Sequence, residues 1–131
     1  MATVVTTAGR AVAVNRLRGT GTEPLYIGWG TGAGTASTTV TTLYTEKAAD
    51  LSTGTGTRIT GSSASYSTNV AGDTYRVTGT YTASGSGSVT NAGLFDAATI
   101  TAGNLFVIGD FTGIGLDAND AIAFTIDVVF G

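Results

Sequence analysis

The stretch Ala121-Ile-Ala-Phe-Thr-Ile-Asp-Val-Val-Phe130 decides the fold. Ile122, Phe124, Ile126, Val128 and Phe130 recur at every second position, and Ala121, Ala123, Thr125, Asp127 and Val129 occupy the other face. A helix would scatter these five side chains around its circumference, and their β-branched and aromatic character suits a pleated surface. The segment therefore reads as a long strand with one face in a core. A strand this apolar needs partners on its edges or a covering sheet, since unpaired amides template aggregation. The upstream segments must supply that cover.

Working outward, residues 58–120 repeat the same signal, with strands and turns spaced as in antiparallel sandwiches and barrels. Thr74 to Thr82 alternates Tyr75, Val77 and Tyr81 inward with Arg76, Thr78 and Thr80 outward, after a turn at Ala71-Gly72-Asp73. Arg58 to Thr68 is its expected hairpin partner, with Gly61 marking a bulge. Ser84-Gly-Ser-Gly87 turns the chain into Ser88 to Asp96, where Leu94 and Phe95 point to opposite faces, so that one of them is expected at an interface. Asn104 to Phe111 places Leu105, Val107 and Phe111 on one face and Phe106 and Ile108 on the other, as in a strand covered on both sides. Gly113, Gly115 and Asp117-Ala-Asn-Asp120 lead into the final strand.

Toward the N-terminus the pattern changes. Thr6 to Gly19 reads as a helix capped by Thr6 or Thr7 and stopped by Gly19, with Ala8, Ala11, Val14 and Leu17 as a narrow apolar stripe. A strand through Thr3-Val4-Val5 continuing as an extended segment is the competing reading, because Val12 and Val14 are β-branched. The turn Gly19-Thr-Gly-Thr-Glu-Pro24 precedes a strand, Leu25-Tyr-Ile-Gly-Trp29, with Leu25, Ile27 and Trp29 on one face and its proline at the entrance. Gly30 to Ser37 is a glycine-rich surface loop. The short segment at Leu43-Tyr44 then leads to the densest charge, Glu46, Lys47 and Asp50. The expectation is a single domain, residues 1–131, of mainly β class: an antiparallel β-sandwich or jelly-roll-like fold, with residues 1–24 forming a short helix or extended arm.

Composition narrows the chemistry. Only 11% of residues are charged and 42% are apolar, with 20 glycines and a net charge of −3, so the chain folds and its surface rests on hydroxyls and backbone. Six Lys and Arg against nine Asp and Glu speak against a nucleic-acid groove, and Arg10, Arg16 and Arg18 read as cations at a helix C-terminus. No apolar run approaches a membrane span and the N-terminus lacks a basic region followed by an apolar stretch, as expected of a soluble chain without an export signal. Histidine and cysteine are absent, which removes thiol chemistry, imidazole acid–base work, disulfides and most zinc sites.

What remains offers no catalytic pattern. Lys47, the single lysine, reads as an exposed neighbour of Glu46. Asp96, Asp110, Asp117, Asp120 and Asp127 are too dispersed for spacing to pair two of them for glycoside cleavage. Asp117-x-Asn119-Asp120 has the alternating oxygens of a calcium loop but lacks its downstream glutamate, and reads as a tight turn. Gly28-Trp-Gly-Thr-Gly-Ala-Gly34 follows a strand but lacks the Gly-Lys-Ser/Thr ending of a phosphate loop. The aromatics Tyr26, Trp29, Tyr44, Tyr66, Tyr75 and Tyr81 either pack in the core and at subunit interfaces or form a sugar-stacking platform. No catalytic residue, metal ligand or cofactor is expected, and the chain reads as a non-enzyme.

Three segments carry a resemblance. Thr7-Ala-Gly-Arg-Ala-Val-Ala-Val-Asn-Arg-Leu17 looks like an N-terminal Ala-Gly-Lys/Arg segment; Glu23-Pro-Leu-Tyr-Ile-Gly-Trp-Gly-Thr-Gly-Ala-Gly34, with Leu43 and Glu46 following, is the second; and Val89-Thr-Asn-Ala-Gly-Leu-Phe-Asp-Ala97 through the terminal strand is the third. Together they resemble small virion proteins of tailed bacteriophages, of the capsid cement or decoration type. The resemblance implies a structural protein at the capsid surface, assembled in the host cytoplasm, that binds the major capsid protein as a homodimer or homotrimer and contacts neither nucleic acid nor membrane. Tyr26, Trp29, Tyr44, Leu94, Phe95 and Phe106 are then the candidate interface residues. The alternative is a tail-fibre or appendage component that binds a host receptor or glycan through Tyr26, Trp29 and Tyr44 beside the glycine-rich loop.

Overall fold

The computed structural model describes residues 1–131, and the fold is mainly β with antiparallel sheets and one short N-terminal helix. Its elements are β1 (Thr3–Val5), α1 (Thr7–Leu17), β2 (Tyr26–Gly30), β3 (Glu46–Lys47), β4 (Ile59–Thr60), β5 (Ser62–Tyr66), β6 (Thr74–Thr82), β7 (Gly87–Phe95), β8 (Leu105–Leu116) and β9 (Ala121–Val129). The larger sheet runs β1-β8-β7-β2-β3, with β4 also on β2, and the smaller runs β5-β6-β9. Ile27, Trp29, Val89 and Leu94 from the first pack against Val77, Tyr81, Phe124 and Val128 from the second, which makes the sandwich.

The alternation in β6 and β9 is realised. Val77 and Tyr81 are buried and Tyr75 half-buried, while Thr78 and Thr80 face solvent. In β9, Phe124 and Val128 are buried and Ile122 and Ile126 half-buried; Phe130 lies past the strand's end and is 57% exposed. The smaller sheet is the cover and β7 is the structural centre. Asn91 to Phe95 are all buried because both faces of β7 are occupied: Leu94 joins the inter-sheet core, and Phe95 joins a second cluster with Ala36, Leu43, Leu105 and Ile108.

The second cluster corrects the reading of Gly30 to Ser37 as a surface loop, since Ala36 and, further along, Leu43 are buried in it. Residues 30–45 fold back over the outer face of the larger sheet. Asn91 fixes it by accepting from the Tyr44 amide and donating to the Tyr44 carbonyl, each at 3.1 Å, and Asp110 accepts from the Ala36 amide at 2.6 Å. Glycine is required here by contact: a Cβ on Gly34 would lie 2.5 Å from the Tyr44 ring, and one on Gly30 would lie 2.2 Å from the Tyr44 carbonyl oxygen.

Three further expectations change. Arg58 to Thr68 is not one hairpin strand. β4 pairs with β2 and β5 pairs with β6, so the chain passes from one sheet to the other at Gly61, where a Cβ would sit 2.4 Å from a Val77 methyl. In β8, Leu105 and Ile108 share the outer cluster while Phe106 and Val107 face the inter-sheet core. The pairing jumps from Leu94↔Val107 to Phe95↔Leu105, so Phe106 is the extra residue of a bulge and a strict period of two fails across it.

The N-terminus holds both competing forms: β1 pairs with β8, then α1 is capped by Thr6, whose Oγ1 accepts from the Gly9 amide at 2.8 Å and donates to the Leu105 carbonyl. The helix turns Gly9 and Val12 inward rather than the expected Ala8, Ala11, Val14 and Leu17. The reason is the closeness of β8: a Cβ on Gly9 would fall 2.0 Å from the Phe106 carbonyl oxygen, so the glycine-bearing face must be the docking face. Leu17 is left 89% exposed.

Candidate functional site

That helix orientation opens a largely apolar cleft. Ala13, Arg16, Leu17, Glu23, Pro24, Tyr75, Phe106 and Phe130 surround an open space of about 520 Å³. α1 supplies one wall, the segment before β2 another, and Tyr75 with the chain end the third. Tyr75 is fixed from two sides: its ring meets Phe106 edge-on at 6.1 Å, and its hydroxyl lies 3.1 Å from both Glu23 Oε1 and the Pro24 carbonyl. Burial, reinforced by the Glu23 carboxylate, holds the phenol well above its ordinary range, so it remains a neutral donor. Arg16 reaches the Gly21 carbonyl at 2.8 Å and leaves a cation at the rim, across from the Glu23 anion.

A more polar groove of about 450 Å³ continues from Glu23, Tyr75 and Phe130 along Ser63, Ser65 and Thr74. This arrangement can bind an apolar side chain flanked by polar groups of either sign. At the floor of the polar groove the Thr74 hydroxyl donates to the Asp73 carboxylate at 2.7 Å, and the Thr68, Asn69 and Val70 amides hold that carboxylate in the turn before β6.

The strongest polar constellation is elsewhere and sustains the fold. Arg58, buried beneath the larger sheet, donates through Nε and Nη2 to both Glu46 carboxylate oxygens at 2.7 and 3.0 Å. Its Nη1 lies 2.8, 2.8 and 2.9 Å from the carbonyls of Ala97, Thr99 and Ala102, and its guanidinium rests 3.4 Å from the centre of the Phe95 ring. One side chain thus ties the β7–β8 connection to the edge of the sheet. No buried side-chain nitrogen or oxygen in the molecule lacks a hydrogen-bond partner.

The candidate interface residues separate into two groups. Trp29, Leu94, Phe95 and Phe106 are at most 3% exposed, consumed by intrachain packing, and only Tyr26 and Tyr44 remain partly open. Trp29 therefore offers no sugar-stacking surface; it stacks on Tyr81 with ring centroids 3.8 Å apart, and its indole N–H donates to the Ala48 carbonyl at 3.3 Å. The period-two reading put Trp29 on one face with Leu25 and Ile27, and that face is the one turned into the core, which removes Trp29 from the candidate interface.

The carboxylates are dispersed among separate structural duties. Asp96 accepts from the Asn104 amide at 2.6 Å, Asp127 pairs with Arg76, and Asp120 accepts from the Asp117 amide at 2.8 Å. Asn119 adopts a φ of 76°, so residues 117–120 form the left-handed turn expected of Asn and Asp. No group of three or more His, Cys, Asp or Glu side chains converges as a metal site would require. Lys47 donates to the Ser52 carbonyl at 2.8 Å.

Sequence reasoning missed three participants. Leu17 and Phe130 were assigned to apolar faces, and no local signal distinguishes them from core residues. Arg58 was read as the start of a strand, and its separation of twelve positions from Glu46 follows no helical or strand periodicity.

No protein-family model matches the chain, and neither a curated protein nor a solved structure matches it.

Proposed function

We propose that this protein is a virion structural component of a tailed bacteriophage, a cement protein that binds the capsid surface and stabilises the shell by non-covalent contacts. The three-segment resemblance orders this reading first, and the observation that carries it is the apolar cleft with Leu17 and Phe130 exposed at its rim. A clamp between capsomers works by binding alone. It needs a rigid fold with its polar groups satisfied internally and an apolar patch left to bury against a partner. The major capsid protein is the partner in this reading, and the rim charges of Arg16 and Glu23 set the orientation of docking rather than its strength.

The test is reconstitution on capsids that lack the protein. Wild-type chain is expected to co-sediment with them and raise their resistance to heat and chelators, and Leu17→Ser with Phe130→Ser is expected to lose binding while keeping its melting temperature. Capsids equally resistant with and without the chain, or cryo-electron microscopy density confined to the tail, would overturn the reading.

A further inference from the structure

β9 ends the smaller sheet, pairs only with β6, and leaves a free edge nine residues long. The other terminal strands are short or polar. β1, β3 and β4 have three, two and two residues, and β5 has five, Ser62-Ser-Ala-Ser-Tyr66, all exposed. Short and polar edges are the usual defence against further pairing. β9 has none of the usual blocks: no proline, no lysine and no bulge, with nine consecutive pairs to β6 and its single charge, Asp127, engaged by Arg76.

The direction of its free groups follows from the ladder. The Phe130 amide donates to the Asp73 carbonyl at 2.9 Å and the Ala83 amide to the Asp120 carbonyl at 2.8 Å, so even-numbered residues of β9 exchange bonds with β6. Ala121, Ala123, Thr125, Asp127 and Val129 consequently turn their amides and carbonyls outward. Beside them the two sheets part. Met1, Thr3, Val107, Phe111, Phe124 and Ile126 help to line a gap of about 370 Å³ that spans β1, β8 and β7 on one side and β9 on the other. The larger sheet thus reaches past β9 as a shelf.

We propose that this edge is a strand-addition site, taking one extended segment of another protein chain. A row of alternating amides and carbonyls is matched only by another extended backbone. The shelf gives the added strand a floor for its inward side chains, which must be apolar and uncharged to fill the gap. The same shelf excludes a second whole sandwich paired through β9, because its larger sheet would have to occupy the space that β8 and β1 already fill. The occupant is therefore a segment and not a second copy. The inference stands on backbone geometry and is independent of the capsid reading.

The probe is a synthetic peptide of the β9 sequence, Ala121 to Phe130, with terminal lysines for solubility. Laid antiparallel about Thr125, it sets its Phe124 and Ile126 against the same residues of β9 in exchanged order and each Asp127 against an alanine, so no like charges meet. Amide hydrogen exchange should slow at least tenfold at Ala123, Thr125 and Asp127 on saturation. Thr125→Pro removes an outward amide without touching the β6 ladder, and should weaken peptide binding at least tenfold with an unchanged circular dichroism spectrum. Thr125→Lys, which keeps the amide but crowds the edge with charge, serves if the proline variant does not fold, and should weaken binding in the same direction. No protection at millimolar peptide, binding unchanged in the folded variant, or a Thr125-dependent homodimer of the protein alone would each overturn the proposal. None of these readouts involves a capsid, so a failed reconstitution and a failed strand addition are separable.

Discussion

Trp29 of β2 stacks on Tyr81 of β6 with ring centroids 3.8 Å apart and planes inclined by 19°, and this pair joins the two sheets at the middle of the core. Both rings are almost wholly buried, and each polar tip reaches the same strand-flanking segment, Trp29 to the Ala48 carbonyl and Tyr81 to the Ala49 carbonyl. Trp29→Ala should therefore cost about 3–5 kcal/mol, the range for removing a large buried aromatic. Tyr81→Phe keeps the stack and loses one hydrogen bond, about 1 kcal/mol. Urea titration checks the order; equal losses would mean that the hydroxyl, not the stack, dominates.

The Arg58–Glu46 pair predicts a non-additive cycle. With side-chain exposures of 2% and 11%, removing either charge strands the other in the interior, and Arg58→Met or Glu46→Gln should each cost about 3–5 kcal/mol. Arg58→Met combined with Glu46→Leu should cost less than the sum of the single changes. Additive losses in thermal denaturation would show that Arg58 acts chiefly through the three carbonyls of the β7–β8 connection.

Gly9→Ala reverses the expectation from helix propensity. Alanine is the better helix former by about 1 kcal/mol, yet here its methyl would lie 2.0 Å from the Phe106 carbonyl oxygen. Net destabilisation of about 1–3 kcal/mol is expected as α1 is pushed off β8. A raised melting temperature would refute the docking geometry.

The inward face of β9 is tested by two substitutions. Phe124→Ala should cost about 3–5 kcal/mol, while Asp127→Asn, at a half-exposed ion pair with Arg76, should cost under about 1 kcal/mol. Equal effects in chemical denaturation would mean that the two faces contribute alike.

Stability should fall in acid. The Thr68 amide, the Thr74 hydroxyl and the Asn69 amide hold the Asp73 carboxyl well below its ordinary value of 3.8, and Thr53 with Ser52 does the same at Asp50. The Ala36 amide lowers Asp110, and Arg76 lowers Asp127. Because the folded state lowers these values, their contribution is complete above the unfolded value and is lost as pH falls below about 4 through the folded values. Melting temperature should be flat between about pH 6 and 8 on this account, since the chain has no histidine to titrate there. Asp73→Asn should weaken the acid dependence; an unaltered profile would place the linkage elsewhere.

The sequence by itself determined the β class, the faces of β6 and β9 and the turn at Asp117 to Asp120, and it narrowed the cap of α1 to Thr6 or Thr7. These depend on local alternation and on backbone preferences that a few adjacent residues fix. Tertiary structure alone decided which strands share a sheet, the crossing at Gly61, the bulge at Phe106, the fold-back of residues 30–45 over Phe95 and the partnership of Arg58 with Glu46. It also decided the candidate cleft: Leu17 and Val12 are equally apolar in sequence, and the approach of Gly9 to Phe106 turns one outward and the other into the core. Such outcomes depend on contacts between residues far apart in the chain, where packing and backbone closeness override periodicity.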